Sequence, residues 1–480
     1  MTRSPRPKPL AIAALILSIS LSAAWITVSG QARAADPPAA PAAAEGVPGD
    51  PAGDDGAYSA GDAYVPGEVI IQRKGESVPR TVEIAESASV PRVADRLEDR
   101  PAIEHATPNY IAHISGWGPN DPGINPPKTG KAGKWRSKQW NFLSCGSLCH
   151  PARSPAGKQS RGGMNVIRAW QNLRRAGRAG AAGVRVAVLD TGIAYRSQGR
   201  FFRKNPDFAA NRFLPGWDFV DDDSRPLDLN GHGTHVAGTI GQQTNNRRGL
   251  AGIAYKSKLI PVRVMDASGS GTTENIADGI RWATDHGARV ISMSLNFRCG
   301  ESIPPIEDAL EYAHSQGVTL VGSTGNRSAQ SCPSLPATAP QVIGVGGSNE
   351  SGCVAGYSFI SPAVDLVAPG GGASHVNRDC PYTSRHRPIL QVSMIGRDPA
   401  RFGISSGWRG TSMAAAHVAG ASAAVLASDA IGPKKGPAQV KQRLLGTARL
   451  PDFASGQDPS GFGAGIINLG RATNPDVAVP

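Results

Sequence analysis

Short apolar runs alternate with amphipathic stretches along the second half of the chain, and this alternation predicts its elements. Residues 184–189 form a β-rich run ending at Asp190-Thr191-Gly192, and a short apolar helix starts at His232 and continues from His235 as H-V-A-G-T-I. Residues 259–264 read as a strand. Residues 273–286 read as a helix with a capping threonine and Gly287 just past its end, and 288–295 as the next strand. Residues 306–316, closed by Gly317, repeat the helix pattern; strands follow at 318–321, 342–345 and 364–367, and a long alanine-rich helix at 413–426. Such alternation implies an α/β fold, a mostly parallel central sheet with helices on both faces. Active residues of such sheets gather at the carboxyl ends of strands, and Asp190 and Asn326 both lie just past strand ends.

The first third of the chain reads differently. Residues 65–71, V-P-G-E-V-I-I, form a strand after a turn, 93–97 a short helical candidate, and 103–114 end in a second extended stretch, T-P-N-Y-I-A-H-I. This small α+β unit of roughly 55 residues is marginal alone and gains most from docking onto something larger. Residues 117–183 read as long surface loops around one helix at 166–173. Before the unit, residues 35–61 are alanine, proline, glycine and acidic side chains, a linker unable to bury enough surface to fold. Residues 1–34 read as a secretory signal: Arg3, Arg6 and Lys8, an apolar run over 10–28, and the small-x-small site Ala32-Arg33-Ala34. The alternative is an uncleaved membrane anchor. Cleavage predicts a secreted, extracellular protein with no membrane span left.

Composition changes this picture in two places. The formal charge of +12 over 480 residues raises the question of nucleic acid, but the basic residues are scattered rather than clustered with aromatics, which argues against it. The six cysteines, Cys145, Cys149, Cys299, Cys332, Cys353 and Cys380, are an even count in an exported chain and favour disulfides, with 15 pairings open. A zinc site on Cys145, Cys149 and His150 is the rival reading, and it lacks a fourth ligand.

The candidate chemistry centres on Ser412, in G-T-S-M-A-A-A-H-V-A-G. A serine at a helix start sits where unpaired N–H groups and the helix dipole favour negative charge, which suits a nucleophile; the plain alternative is an N-cap. Asp190 follows a buried strand, and His232 stands in N-G-H-G-T-H-V-A-G. Nucleophile, general base and orienting carboxylate explain all three together. Taken singly, Asp190 can be a turn, His232 with His235 a metal pair, and Ser412 a cap. The metal pair lacks the H-E-x-x-H spacing.

The strings V-A-V-L-D-T-G-I, G-H-G-T-H-V-A-G and G-T-S-M-A-A-A-H-V-A-G, in that order, resemble the subtilisin-like serine proteases. The resemblance runs from about residue 120 to 469 and implies a serine endopeptidase acting on protein or peptide substrates through an acyl-enzyme. It makes Ser412 the nucleophile, His232 the general base and then acid, Asp190 its orienter, and Asn326 an oxyanion-hole donor. Ser270-Gly271 and Ser294-Leu295 match the two segments that pair with substrate backbone. Asn296-Phe297 depart from the family, which usually carries glycines there, and Ala416 stands where proline is usual. Residues 62–115 resemble the family's propeptide, an intramolecular inhibitor, with residues 116–480 as the peptidase domain, expected to act as a monomer. A catalytically silent fold serving as a binding protein, or a processing protease with one protein substrate, remain alternative readings.

The resemblance also implies structural calcium. Residues 244–250 match the loop that wraps a calcium site, with Asn246 giving a side-chain oxygen and Thr244, Arg248 and Leu250 backbone carbonyls. Asp121 and Asp207 match the two carboxylate ligands, for a total of six oxygens. A second candidate is Asp218, Asp221 and Asp223, whose crowding asks for a cation. Cys299 follows the substrate-lining strand and Cys332 the Asn326 loop, so pairing them would brace both walls of the pocket. Cys353 with Cys380 and Cys145 with Cys149 are then the remaining pairs.

Overall fold

The computed structural model describes residues 64–85, 88–114, 135–145, 160–246, 248–327, 331–374, 386–451 and 459–479. These residues belong to one unit, 55–480. The signal and linker expected over 1–61 lie outside the described residues, as do Asp121, Cys149, His150 and Cys380.

The N-terminal part holds β1 (Tyr64–Arg73), β2 (Arg80–Glu83), α1 (Val90–Glu98) and β3 (Ile103–Ile114). β1 lies between β2 and β3, antiparallel to both. Val69, Ile71, Val90, Ala94, Ile103 and Ala106 make its small core. Pro91 sits in the first turn of α1, where its missing N–H costs nothing. β2 was not expected: R-T-V-E is too short and too exposed for a period to show.

Beyond it come α2 (Trp135–Lys138), α3 (Val166–Arg175), β4 (Arg185–Asp190), β5 (Trp217–Asp218), α4 (His232–Gly241), β6 (Lys258–Arg263), β7 (Ser270–Thr272), α5 (Thr273–Asp285), β8 (Val290–Met293), β9 (Leu295–Asn296), α6 (Pro304–Ser315), β10 (Thr319–Ser323), β11 (Val342–Ser348) and β12 (Leu366–Pro369). Then follow β13 (Gln391–Ile395), β14 (Asp398–Ser405), α7 (Thr411–Ala427), α8 (Pro437–Gly446) and α9 (Leu469–Ala472). Seven strands form one sheet in the order β12-β11-β10-β8-β4-β6-β5, every pair parallel. Alternation along β4 sends Val186 and Val188 into a core shared with α4 and α7, and Ala187 and Leu189 into a core shared with α5 and α6. The α/β sheet expected from the sequence is therefore present, with both faces covered.

α7 is buried over its whole length, and its alanines and Gly420 let neighbours approach closely. A Cβ on Gly420 would meet Ile253 Cβ at 3.0 Å. The cap of α5 behaves as the sequence suggests, the Thr272 side chain accepting from Asn275 N–H, whereas α7 is capped by Gly410 and Ser412 lies inside it.

Two elements differ from expectation. The strand expected over 288–295 breaks at Ser294: β8 stays in the parallel sheet, while β9 turns away to pair with β3. The hairpin of β13 and β14 was missed because its turn carries no Asn-Gly signal. Gly396 (φ 62°) and Arg397 (φ 58°) form a two-residue loop with both residues left-handed. Ser393 Oγ of this hairpin donates to Gly231 O at 2.8 Å, bracing the start of α4.

Candidate active site

Three elements present the candidate residues. β4 delivers Asp190 at its carboxyl end, α4 begins with His232, and Ser412 is the second residue of α7. His232 Nδ1 lies 2.8 Å from Asp190 Oδ1, and Thr191 N–H donates to the same oxygen at 2.8 Å. Both side chains are fully buried. Nδ1–H therefore points at the carboxylate, which leaves Nε2 as the ring's acceptor; that nitrogen has no hydrogen-bond partner among the described residues. Ser412 Oγ donates to Ser294 O at 3.4 Å, and Ser294 Oγ donates to Ser412 O at 2.9 Å. The serine turn is thus tied to the break between β8 and β9.

Asn326 lies three residues past β10. Its Oδ1 accepts from Thr411 N–H (3.1 Å) and Thr411 Oγ1 (3.3 Å). With the carboxamide oxygen so engaged, Nδ2 is the atom left to donate, beside the turn that carries Ser412. Ser270 and Gly271 pair with His113 and Ala112, and Leu295 and Asn296 pair with Ile114 and His113. The end of β3 therefore runs as the middle strand between β7 and β9. Further contacts hold the N-terminal part against α5 and the loop before α6: Thr81 Oγ1 donates to Glu274 (2.7 Å), Tyr110 OH to Glu301 (2.7 Å), and Thr273 Oγ1 to Tyr110 O (2.8 Å).

Asp228 was missed in the sequence reading. It is buried, and its two oxygens accept from Thr191 Oγ1, Asn230 N, Gly231 N, Thr234 N and Thr234 Oγ1 at 2.6–2.9 Å. Desolvation pushes its carboxyl upward, and these donors pull it back. One carboxylate thus pins the residue after Asp190 to the loop that presents His232. The signal for it was D-L-N-G before the histidine, an Asx-type turn. Asp228→Ala strands five donors, each left unpaired at about 1–3 kcal/mol. The expected result is a large drop in melting temperature, with Asp228→Asn intermediate, read by thermal denaturation.

The two histidines the sequence allowed as a metal pair are not one. His235 Nε2 faces Ile389 O at 3.2 Å, and burial lowers its pKa to about 3, so the ring is neutral. Cys145 is disulfide-bonded, which removes the zinc reading, and Cys353 is disulfide-bonded too. Cys299 and Cys332 form the expected bridge, with Cα atoms 5.5 Å apart.

The second calcium candidate is corrected by two arginines. Arg263 Nη1, on a side chain 5% exposed, reaches Asp218 Oδ2 at 2.8 Å and Asp221 Oδ2 at 2.6 Å, while Arg225 Nε donates to Asp223 Oδ2 at 2.7 Å. The positive charge that this acidic run asked for comes from the chain itself. At the first candidate, Asp207 and the 244–250 loop do meet. Asn246 Nδ2 donates to Asp207 Oδ1 (2.6 Å) and Leu250 N–H to Oδ2 (2.8 Å). Asn246 Oδ1 accepts from Arg248 N–H at 2.9 Å, and Thr244 Oγ1 donates to Gly252 O at 3.2 Å. Desolvation raises the Asp207 carboxyl to about 7, against the hydrogen bonds from Asn246 and Leu250. A buried carboxylate whose hydrogen bonds come from uncharged N–H groups, beside the carboxamide of Asn246, fits a hard cation. Among the described residues no group of three or more His, Cys, Asp or Glu side chains could hold a metal, so such an ion would rest mainly on carbonyl and amide oxygens.

Comparison with known proteins agrees with this geometry. Residues 181–465 match the subtilase family model. The chain is 31% identical over 388 residues to the thermophilic serine proteinase of Bacillus sp. (strain AK1), covering 76% of this chain and 79% of that one. It is 34% identical over 294 residues to subtilisin Savinase of Lederbergia lenta, covering 61% and 91% respectively. Among solved structures, a protease of Pseudoalteromonas arctica PAMC 21717 superposes with a TM-score of 0.53 at 31% identity, covering 65% of this chain and 94% of that one. The family model spans β4 through α8, and with them the ends of β4, α4 and α7 where Asp190, His232 and Ser412 stand: the chain belongs to the subtilase family and is a serine-type endopeptidase.

Proposed function

We propose that the protein is a secreted, self-processing endopeptidase in which Ser412 is the nucleophile, His232 the proton carrier and Asp190 its orienter. Residues 62–115 act as an intramolecular inhibitor. Ser412 Oγ attacks the carbonyl of the scissile bond and passes its proton to His232 Nε2. The imidazolium that forms is stabilised by Asp190 through Nδ1–H. Asn326 Nδ2 and the Ser412 backbone N–H receive the negative charge on the tetrahedral oxygen. His232 then gives its proton to the departing amine, and a water molecule, activated by the same ring, releases the acyl group. The enzyme works as a monomer on protein and peptide chains. Among the described residues no helix is long and apolar enough to cross a membrane.

The observation that carries this reading is the register of β3. His113 pairs with Asn296 and Ile114 with Leu295. A substrate strand continuing that register would bring its next residue opposite Ser294, the residue whose carbonyl accepts from Ser412 Oγ. A chain held as an added strand between β7 and β9 thus runs its next peptide bond past the nucleophile. The next residue in sequence is Ser115, so the mature chain is expected to begin at Gly116. N-terminal sequencing of the processed protein tests this. A mature terminus several residues away from Gly116 would break the register argument.

Asp207, Asn246 and the carbonyls of Thr244, Arg248 and Leu250 would hold a calcium ion, with Asp121 outside the described residues. Bound there, the ion would add positive charge beside the buried Asp207 carboxylate and strengthen the tie between its segment and the 244–250 loop. Mature enzyme blocked at the nucleophile is expected to melt several degrees lower in excess chelator than in millimolar calcium, since an ion at a hundred times its Kd adds about 2.7 kcal/mol. Asp207→Ala should remove most of that difference. Identical melting curves in chelator and calcium would rule the ion out.

A further inference from the structure

We infer that Asn296 closes the primary side-chain pocket, so that the enzyme cleaves after glycine, alanine or serine and rejects large residues at that position. The inference rests on the protease reading above and names the substrate class of the same site.

β8 and β10 are parallel neighbours up to Met293 and Gly322. Past that pair the two chains part. One side continues through Ser294 into β9 and joins β3; the other continues through Ser323 to Asn326. Ser294 and Asn326 are both tied to the turn that presents Ser412. The gap between them is the space available to the side chain of the residue lying opposite Ser294, the one whose carbonyl is attacked. That gap has a crossbar. Asn296 Nδ2 donates to Ser323 O at 2.6 Å, and Ser323 Oγ donates back to Asn296 Oδ1 at 3.1 Å. Asn296 is buried, as is Ser323.

A carboxamide bonded through both its nitrogen and its oxygen to a buried serine does not swing aside cheaply, because displacing it breaks both bonds at once. Behind it the walls are tied again. Phe297 is buried and its N–H donates to Leu335 O at 3.1 Å, and the Cys299–Cys332 disulfide joins the two segments covalently. The pocket therefore cannot widen by parting its walls. A hydrogen, methyl or hydroxymethyl group fits short of the crossbar; a benzyl or isobutyl group would have to displace it.

The test is a set of peptides differing only in the residue before the cleaved bond, with labelling by a fluorophosphonate as a separate report on the nucleophile. Wild type is expected to show kcat/KM for alanine or serine about a hundredfold above phenylalanine or leucine. Asn296→Gly is expected to raise the phenylalanine-to-alanine ratio at least about tenfold, with Asn296→Ala between the two. Wild type that labels and cleaves after phenylalanine or leucine as fast as after alanine overturns the inference alone. So does Asn296→Gly that labels normally with the ratio unmoved. A chain that neither labels nor cleaves defeats the protease reading and this one with it. If Asn296→Gly fails to fold, the wild-type profile decides the question by itself.

Discussion

Ser412→Ala and His232→Ala are each expected to lower kcat by about 10⁶-fold, the largest effects any single change in this chain should have. The reason is that the two groups act as one unit. Without Ser412 Oγ no acyl-enzyme forms, and without His232 Nε2 the hydroxyl keeps its proton. Since either loss removes the whole pathway, the double variant should be no worse than the singles. Both variants should accumulate as a precursor that keeps residues 62–115, because the proposed self-processing uses the same site. A fluorophosphonate should label wild type on Ser412 and leave His232→Ala unlabelled on the same timescale. Ser412→Ala that matures normally would show that another protease performs the cut, and full peptidase activity in that variant would remove Ser412 from the mechanism.

Asp190→Asn should cost about 10⁴ in kcat while changing the volume of the site hardly at all. Asp190 Oδ1 holds both Thr191 N–H and His232 Nδ1 at 2.8 Å in a fully buried setting. If the new amide presents its nitrogen to the ring, Nδ1 must become an acceptor and Nε2 carries the proton, so it cannot take one from Ser412. If it presents its oxygen, the negative charge that offsets the imidazolium is gone. Either orientation acts on turnover rather than on substrate binding, so KM should move little. Steady-state kinetics on a peptide substrate checks it, with thermal denaturation as the control for folding. A variant within tenfold of wild type in kcat would mean that the ring is held in its tautomer by something other than Asp190.

Much of the fold was legible before any coordinates. The apolar runs around 186–189, 259–263 and 342–345 are the central strands of the observed sheet, because strands buried on both faces have no polar side to disguise them. The helices at 273–285 and 411–427 were legible from their caps and their alanine content. The hairpin 391–405 was not, since its turn is built on Gly396-Arg397 rather than a recognisable turn pair.

The site divides along the same line. Asp190, His232, Asn326 and Ser412 were each ambiguous one at a time and pointed to one site only together, each sitting in a short string whose local backbone requirements leave a mark: a strand end, a helix start, a glycine before a serine. The chain itself therefore determined the family and the reaction class, while the pairing of Cys299 with Cys332 among 15 possibilities was decided by the fold. The tertiary structure decided what depends on residues far apart in sequence. Arg263, a strand residue with no motif around it, reaches back some 40 positions to supply the charge that Asp218 and Asp221 appeared to ask of a metal ion. Asn296 looked like a changed glycine until Ser323 stood across the pocket from it. Asp228 looked like a turn residue until its five donors converged on it from both sides of the site. In each case the sequence carries one partner's chemistry but not the distance to the other. Only burial, which removes water as the alternative partner, makes that distance count.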